Sequence, residues 1–278
     1  MEDVTKIIDI EKGIKDGNNR FLKSLPRFAI SLMKRFIQQD EMNATIHRSS
    51  HLMGVPFINN ILGEWNMIID VKGIDNVPSS GRFVLVANHP VGAIDALTFF
   101  NVVYRFYPDI VSPSNELLSL IPNLRPLILG LNVFGKNTKK TVLKLQKLFE
   151  SDSQILIFPA GEVSRRKKGI ISDTVWQKSF ITKSIEHKRD IIPFHISGRN
   201  SNLFYSVANL RSFLGIKMYV ESMLLPHEMM KQRNSRVTIT VGKVIPYQTF
   251  TSEFSPYEWA QKIRSIVYSL PENQKRNL

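Results

Sequence analysis

The chain contains no cysteine among its 278 residues. This absence excludes thiolate nucleophiles, cysteine-ligated zinc, iron–sulfur clusters and disulfide bonds. It leaves the cellular compartment open, because a chain without cysteine is compatible with oxidising and reducing surroundings alike. The chemistry of the protein must therefore come from other side chains.

Long apolar runs and a secretory signal are also missing from the sequence. The most apolar stretches are about a dozen residues long with polar breaks, whereas a membrane-spanning helix needs about 20 apolar residues. The first residues, MEDVTKIIDIEKGIKDG, are polar and acidic and contain no basic segment before an apolar run. We therefore expect a protein that is cytosolic or lies on a membrane face.

Acidic residues are scarce relative to basic ones. The chain has 24 Asp and Glu against 37 Lys and Arg, which gives a formal net charge of +13. This excess favours anionic partners, namely nucleic acid, an anionic membrane surface or an acidic protein. Hydrophobic residues make up 43 % of the chain, which is enough for a real core and excludes disorder over most of it.

From residue 67 onward, short apolar runs alternate with helical patterns. This alternation predicts an α/β domain with a mixed, largely parallel sheet flanked by helices. The predicted strands are 67–71, 83–87, 155–158, 191–196, 217–220 and 236–241, and the predicted helices are 94–106, 138–149, 174–186 and 256–268. We expect an N-terminal amphipathic helical region over 1–66, the α/β domain over 67–270 and a frayed tail over 271–278.

Residues 18–63 have a helical pattern of their own. Apolar residues such as Phe28, Leu32 and Phe36 recur at spacings of three and four, with basic residues between them. One interpretation is an amphipathic helix that packs on its own domain. The other is a membrane-docking helix that buries its apolar face among lipid headgroups while Lys and Arg contact anionic lipid.

Sites in such sheets form where strands end, and the first strand end of interest carries a histidine. The strand 83–87 runs directly into Asn88, His89 and Gly92, and Asp95 follows at the start of a helix. A histidine with a carboxylate one loop away can act as a general base, with the carboxylate as its orienting partner. The alternative is that Asp95 only caps its helix while His89 hydrogen-bonds within the loop.

Two further strand ends deliver polar residues. After the strand 155–158, Gly161 allows a positive φ, and exposed backbone N–H groups there could hold an anion. Each segment alone also fits an ordinary loop with solvated charges, and His195 is expected to be packed or hydrogen-bonded rather than catalytic. The candidates at these two strand ends are Gly161, Glu162, Ser164, Arg165, Arg166, Arg199 and Asn200.

Together the three segments make the chain resemble the lysophospholipid (glycerolipid) acyltransferases, which move a fatty acyl group from acyl carrier protein or coenzyme A to a lipid-like alcohol. The resemblance covers about residues 68–245 and depends on four sequence blocks. The first block is Asn-His, four residues and then Asp, and it corresponds to Asn88, His89 and Asp95. The second block corresponds to LNVFGKN, with Lys136 at or near the basic position. The third block corresponds to FPAGEVS at 158–164, and the fourth to 191–194.

The sequence departs from the family pattern in two blocks. Five residues rather than four separate His89 from Asp95, so the loop must bulge to preserve their contact. The phosphate-binding arginine of the third block is replaced by Val163, and Arg165, Arg166 and Lys136 are the candidates to substitute for it. The forms NHPxGxxD, FPAGEVSR and SGRNSxLFY resemble the bacterial hemolysin-like branch, which includes acyltransferases of lyso-amino-acid lipids such as ornithine and glycine lipids.

The resemblance implies a mechanism, with His89 as the base and Asp95 as its orienting partner. His89 removes the proton from the acceptor hydroxyl, and the oxygen attacks the acyl thioester directly, while backbone N–H groups near Gly161 stabilise the oxyanion. The implied substrate-binding residues are Asn88, Gly92, Lys136, Gly161, Glu162, Ser164, Arg165, Arg199 and Asn200.

The resemblance also implies partners and a location. The donor is acyl-ACP or acyl-CoA, and the acceptor is a lyso-amino-acid lipid or lysophosphatidic acid. No metal, other cofactor or nucleic acid is required. The enzyme is expected to lie peripherally on the anionic cytoplasmic face of the inner membrane.

Three alternatives come from other classes of protein. GLNVFGKN at 130–137 approaches a nucleotide P-loop, although Asn137 replaces the Ser or Thr that binds magnesium. Nucleic-acid binding is suggested by charge alone, without a recognition motif. A non-catalytic lipid-binding protein on the same fold would bind membranes and be indifferent to the loss of His89.

Overall fold

The central element of the fold is a seven-stranded sheet. The computed structural model describes residues 6–16, 23–132, 138–216 and 219–275. Its strands are β1 Ile68–Lys72, β2 Phe83–Ala87, β3 Ile110–Asn115, β4 Ile128–Leu131, β5 Gln154–Ile157, β6 Arg165–Lys167, β7 Ile170–Ser172, β8 Asp190–Ile196 and β9 Arg236–Val241. The sheet order is β1-β9-β8-β2-β5-β3-β4, and β6 and β7 form a separate antiparallel ribbon. Within the sheet β8 and β9 pair antiparallel and the other pairs are parallel, which confirms the predicted mixed, largely parallel sheet.

Helices cover both faces of this sheet. The helices in the described part of the chain are α1 Ile10–Asp16, α2 Arg27–Phe36, α3 Gln39–Arg48, α4 Gly54–Glu64, α5 Ala93–Val103, α6 Lys139–Glu150, α7 Ser179–His187, α8 Asn202–Phe213, α9 Leu225–Met230 and α10 Pro256–Lys275. In β2, Leu85 and Ala87 pack with α4 and α5, whereas Val84 and Val86 pack with α7 and α10. A strand buried on both faces has no polar alternation, which explains the continuous apolar run FVLVA.

The three segments singled out in the sequence come together because of the sheet order. β2 lies between β5 and β8 and is parallel to both, with Val84 opposite Ile155 on one side and Ile191 on the other. The carboxyl ends of parallel neighbours lie at the same edge of a sheet. The loops that follow β2, β5 and β8 therefore meet at one edge.

Several predicted elements differ from the observed ones. β3 was not predicted as a strand, because Pro113 and the serines of IVSPSN interrupt the apolar pattern. Pro113 is tolerated because it lies where β3 pairs with β4 alone. The predicted helix from 174 begins at Ser179. The predicted strand 217–220 was wrong at its described end, where Val220–Leu224 forms a 3₁₀ helix; residues 217 and 218 lie outside the described residues.

The helices at the two ends of the chain also differ from those predicted. The helical pattern of 18–63 corresponds to three helices, α2 to α4, with a break at Gln38, whose φ is 55°. At the other end α10 continues to Lys275, five residues into the tail predicted to be frayed. Leu270 of α10 packs closely on Gly242, which holds the helix against the sheet. Across the described ranges, no helix combines the length and apolarity needed to cross a bilayer.

The helix α2 is only partly covered by the rest of the protein. Phe28 and Leu32 on this helix are 76 % and 65 % exposed, whereas Phe36 stacks on His227, so only part of its apolar face packs on the domain. The preceding segment is held by Asn43 of α3, whose Oδ1 accepts hydrogen bonds from the backbone N–H groups of Ile7 and Ile8. The exposed face agrees with either interpretation of the sequence, and membrane docking stays a prediction.

Candidate active site

His89 and Asp95 are in direct contact. His89 Nδ1 lies 2.8 Å from Asp95 Oδ2, and the same oxygen accepts hydrogen bonds from the backbone N–H groups of Val91 at 2.8 Å and Gly92 at 2.9 Å. The five intervening residues thus wrap around the carboxylate, which is the predicted bulge. Gly92 has a φ of 134°, a conformation in which any side chain would be strained. Asp95 therefore caps α5 and also contacts the histidine, and its catalytic role stays a prediction.

This contact determines which ring nitrogen of His89 is open. An ionised carboxylate only accepts hydrogen bonds, so Nδ1 carries the proton and the neutral ring has its lone pair on Nε2. The ring stacks on Phe158, with 4.3 Å between centroids and 22° between planes. Its side chain is 19 % exposed. A partly accessible histidine with a fixed tautomer and a free basic nitrogen can accept a proton from a bound hydroxyl.

Asp173 holds the loop that carries His89, and the sequence analysis missed it. Its carboxylate accepts hydrogen bonds from the backbone N–H of His89 at 3.2 and 3.3 Å, from Ser164 Oγ at 2.6 Å and from Trp176 Nε1 at 2.9 Å. Tyr268 accepts a hydrogen bond from the backbone N–H of Asp173 at 2.7 Å. Burial and the nearby Asp173 charge raise the pKa of Tyr268. The available signal was a lone aspartate three residues before a tryptophan, which matches no catalytic motif.

Two residues predicted to bind substrate connect the loops instead. The Ser164 backbone N–H donates to the His89 carbonyl at 2.7 Å, while its side chain contacts Asp173. Asn88 is buried and exchanges two hydrogen bonds with the backbone of Ile196, at 2.9 and 2.7 Å. These contacts link the end of β2 to the ends of its two neighbours. They leave both side chains engaged within the protein.

Gly161 has the conformation predicted for it but not the free N–H group. Its φ is 68°, and the residue is exposed. Its backbone N–H donates to the Phe158 carbonyl at 3.0 Å and so closes a turn. The Gly161 N–H is therefore engaged within the turn, and stabilisation of the oxyanion by backbone N–H groups near Gly161 stays a prediction. The glycine is needed for the turn that follows β5.

Arg165 lies in an internal ion-pair network rather than in an open position. Its Nη2 lies 2.8 Å from Glu162 Oε2 and 3.1 Å from Glu221 Oε1, and Glu221 Oε2 lies 2.8 Å from Arg211 Nε. Glu221 is completely buried, and the Arg165 side chain is 10 % exposed. Tyr219 packs against both guanidinium groups. The predicted headgroup contact of Arg165 is not supported, because two carboxylates already neutralise it.

The remaining candidates divide between buried, exposed and undescribed positions. Arg199 is exposed, and its Nη2 donates to Asn202 Oδ1 at 3.0 Å. Asn200 is buried, with its backbone N–H donating to Tyr205 and its Nδ2 donating to the Pro90 carbonyl at 3.4 Å. Lys136 lies outside the described residues. The P-loop alternative also falls there from residue 133 onward, and its Gly130 lies in β4.

His195 is packed, as expected. Its ring meets the edge of Tyr268 with 5.8 Å between centroids. Burial lowers the pKa of His195 to about 4, so the ring is neutral at physiological pH. It lies in β8 directly before Ile196, whose backbone exchanges hydrogen bonds with Asn88.

A histidine–aspartate pair at the strand ends of a mixed α/β sheet is the arrangement predicted for an acyltransferase. The family described as Acyltransferase matches residues 14–274, and the chain belongs to this family. A lyso-glycine lipid O-acyltransferase of Bacteroides thetaiotaomicron is 38 % identical over 270 residues, 97 % of this chain and 99 % of the relative. A Phocaeicola vulgatus protein of the same name is 37 % identical, with 97 % of each chain covered.

A solved structure is also similar to the chain. It is the 1-acyl-sn-glycerophosphate (LPA) acyltransferase PlsC from Thermotoga maritima, at 14 % identity and a TM-score of 0.46, covering 87 % of this chain and 95 % of that one. The sequence relatives and the family match establish that the protein is an O-acyltransferase. The enzyme class and family predicted from the sequence blocks are confirmed.

Proposed function

We propose that the enzyme transfers a fatty acyl group from a thioester to the hydroxyl of a lyso-glycine lipid. The observation that carries the chemistry is the 2.8 Å contact between His89 Nδ1 and Asp95, which leaves Nε2 as the basic nitrogen. The substrate class is supported by the two relatives, which match the chain nearly end to end and share one name. Lysophosphatidic acid is the less favoured acceptor, since Val163 stands where the family has a phosphate-binding arginine.

The reaction proceeds without a covalent enzyme intermediate. His89 Nε2 takes the proton of the acceptor hydroxyl as the oxygen forms a bond to the thioester carbonyl carbon. Asp95 stabilises the resulting imidazolium and keeps the ring in place. The tetrahedral intermediate then expels the thiolate, which takes the proton back from Nε2. The products are the O-acylated lipid and a free thiol, and His89 returns to its starting state.

Asp173 acts on this reaction through the backbone. It receives the His89 N–H and also holds Ser164, whose own N–H donates to the His89 carbonyl. Both peptide groups of His89 are thereby fixed to the loop after β5. Such fixation favours catalysis, because a small misplacement of a base relative to its substrate is costly.

The acceptor is a lipid, and two exposed apolar helix faces support the proposal that the enzyme binds to a membrane surface. One is the face of α2 with Phe28 and Leu32 exposed. The other is on α8 and just beyond it, where Leu210, Phe213 and Leu214 are 58 %, 87 % and 58 % exposed. Exposed apolar helix faces on a chain with a net charge of +13 suit insertion among anionic headgroups.

Sedimentation with vesicles tests the membrane contact. Wild type, Phe28→Ser/Leu32→Ser and Phe213→Ser/Leu214→Ser are mixed with vesicles of neutral lipid, with or without anionic lipid. Each double variant is expected to bind about 10-fold or more weakly, because each loses the insertion of two large apolar side chains. Ile266→Ser, which removes an exposed apolar residue of α10, is the control. Equal binding by all variants would refute these two faces as the contact.

Acyl transfer tests the chemistry directly. Purified protein is given labelled palmitoyl-acyl carrier protein or palmitoyl-CoA together with lyso-glycine lipid or lysophosphatidic acid, and label is followed into lipid. We expect transfer to lyso-glycine lipid, with a rate that falls about 100- to 10,000-fold in His89→Ala. His51→Ala changes an exposed histidine and serves as the control. Transfer that persists in His89→Ala would overturn the role of His89, and absence of transfer from either donor would overturn the substrate assignment.

A further inference from the structure

Arg165 and Arg166 are neighbours in sequence but have different surroundings. Successive side chains of a β-strand point to opposite faces, and both residues lie in β6. Arg165 contacts Glu162 and Glu221 inside the protein. Arg166 instead lies over the ring of Tyr205, 5.5 Å from its centroid, and its Nη1 donates to Asn202 Oδ1 at 3.0 Å.

A second arginine reaches the same oxygen from another strand end. Arg199, in the loop after β8, donates to Asn202 Oδ1 through Nη2 at 3.0 Å. Among the described residues, neither Arg166 nor Arg199 has a carboxylate within ion-pair distance. Glu228, which packs against the start of α8, uses its two oxygens on the N–H and hydroxyl of Ser201, at 2.6 Å each. Two guanidinium groups therefore converge on one neutral acceptor.

The positive charges of the two guanidinium groups are not paired with a negative charge in this arrangement. Two like charges held near one uncharged oxygen repel each other, and an anion between them would convert the repulsion into two attractions. Planar guanidinium groups bind carboxylates and phosphates through paired hydrogen bonds. The stacking of Arg166 on Tyr205 fixes the orientation of one member in advance. We therefore expect this arginine pair to bind a carboxylate or a phosphate.

The arginine pair belongs to the same end of the sheet as the histidine. Gly198 approaches Val91 so closely that an added Cβ would lie 2.9 Å from Val91 Cγ2. Asn200 donates to the carbonyl of Pro90, the residue after His89. The loop with Arg199 thus packs directly on the loop with the base. An anion bound by the arginines would therefore lie at the same end of the sheet as His89.

We propose that Arg166 and Arg199 bind the carboxylate of the acceptor headgroup and make the enzyme selective for acidic amino-acid lipids. This inference rests on the proposed function, in which the acceptor is a lyso-glycine lipid. Glycine joined to a lipid through its nitrogen keeps its carboxylate, which is anionic at neutral pH. The acceptor is favoured over a donor phosphate because the arginine loop packs on the loop that carries the base for the acceptor hydroxyl.

The test compares an acidic acceptor with a neutral one. Rates are measured with lyso-glycine lipid and with its methyl ester, using a fixed acyl donor, for wild type, Arg166→Gln, Arg199→Gln and the double variant. Wild type is expected to prefer the acid, and the double variant to lose about 100-fold of that preference, because charged hydrogen bonds are lost. Arg166→Lys/Arg199→Lys should restore part of it. Lys167→Gln, on the same strand, should retain the wild-type preference.

The outcomes separate this inference from the proposed function. If wild type acylates neither acceptor, the proposed function fails. If wild type acylates both and the double variant keeps the preference for the acid, the proposed function stands and the arginine inference is overturned. If the double variant instead raises the KM of the donor equally with both acceptors, the pair binds a donor phosphate, which also overturns the inference. Thermal melting of each variant shows whether a loss of rate reflects unfolding.

Discussion

The loop after β2 and the loop after β8 lie against each other, yet their charged groups are arranged in opposite ways. Around the first, Asp95 receives His89 and two backbone N–H groups, and Asp173, which follows β7, receives the His89 N–H and two further donors. In the second, Arg199 shares a neutral oxygen with Arg166. The proposed base is held by carboxylates of the protein itself, whereas the two arginines share one neutral oxygen and are proposed to bind a ligand. Damage to the first loop should slow transfer to every acceptor, and damage to the second should change which acceptor is used.

Asp95→Asn should show the largest effect and act on both acceptors alike. The amide still offers one oxygen, but its NH₂ group opposes the proton on His89 Nδ1 and disfavours the productive tautomer. We expect kcat to fall about 100- to 1,000-fold with lyso-glycine lipid and with its neutral methyl ester. The measurement is steady-state transfer with each acceptor, and Asp152→Asn, which changes a carboxylate that is 97 % exposed, is the control. A loss confined to the acidic acceptor would contradict the division between the two loops.

Arg165→Gln should destabilise the fold without changing the choice of acceptor. The substitution removes one of two cations that neutralise the fully buried Glu221. Losing one partner of a buried ion pair typically costs about 3 kcal/mol or more. Urea unfolding measures this cost, and Arg166→Gln on the same strand should change the free energy of unfolding by about 0.5 kcal/mol or less. Equal stability of Arg165→Gln and wild type would show that the Glu221 network is not needed for folding.

The opposite roles of these two arginines show where sequence analysis reaches its limit. Both were candidates for binding an anion, because the sequence identifies a positive charge but not the face of the strand to which its side chain points. Which arginine faces Glu221 depends on the alternation along β6, and that strand was not predicted. Glu221 is 56 residues further along the chain than Arg165, its partner, so no local pattern connects them. A role that depends on pairing across such a separation becomes visible only in the folded chain.

Other parts of the fold and site were predictable for equally physical reasons. The strands 83–87 and 236–241 were predicted to the residue, because continuous or alternating apolar runs bounded by polar residues mark buried strands. The His89–Asp95 pair was predictable because only five residues separate them in the sequence. Asp173 was not, since its donors come from residues on three separate segments. β3 was not predicted because its proline and serines interrupt the apolar pattern. The proline is tolerated because β3 pairs with only one neighbouring strand at that position.

Substitution of His195 should give the smallest effect, and it should change the pH dependence of stability rather than the rate of acyl transfer. Burial lowers the pKa of this side chain to about 4, from 6.5 when it is solvated. Between these values the unfolded chain binds a proton that the folded protein excludes, so stability decreases as the pH falls through this window. The contribution of His195 amounts to about 2 kcal/mol between pH 7 and pH 5.

Replacing His195 with phenylalanine should remove this pH dependence while keeping a ring against Tyr268. Urea unfolding at pH 7 and pH 5 gives the loss of stability in each protein. We expect the loss in His195→Phe to be about 2 kcal/mol smaller than in wild type and in the exposed-residue control His51→Gln. An equal loss in all three would mean that His195 is protonated inside the folded protein. Among the described residues, His195 contacts the ring of Tyr268 and has no hydrogen bond to His89 or Asp95. Transfer at pH 7 should therefore differ little between His195→Phe and wild type, unlike the change expected for His89.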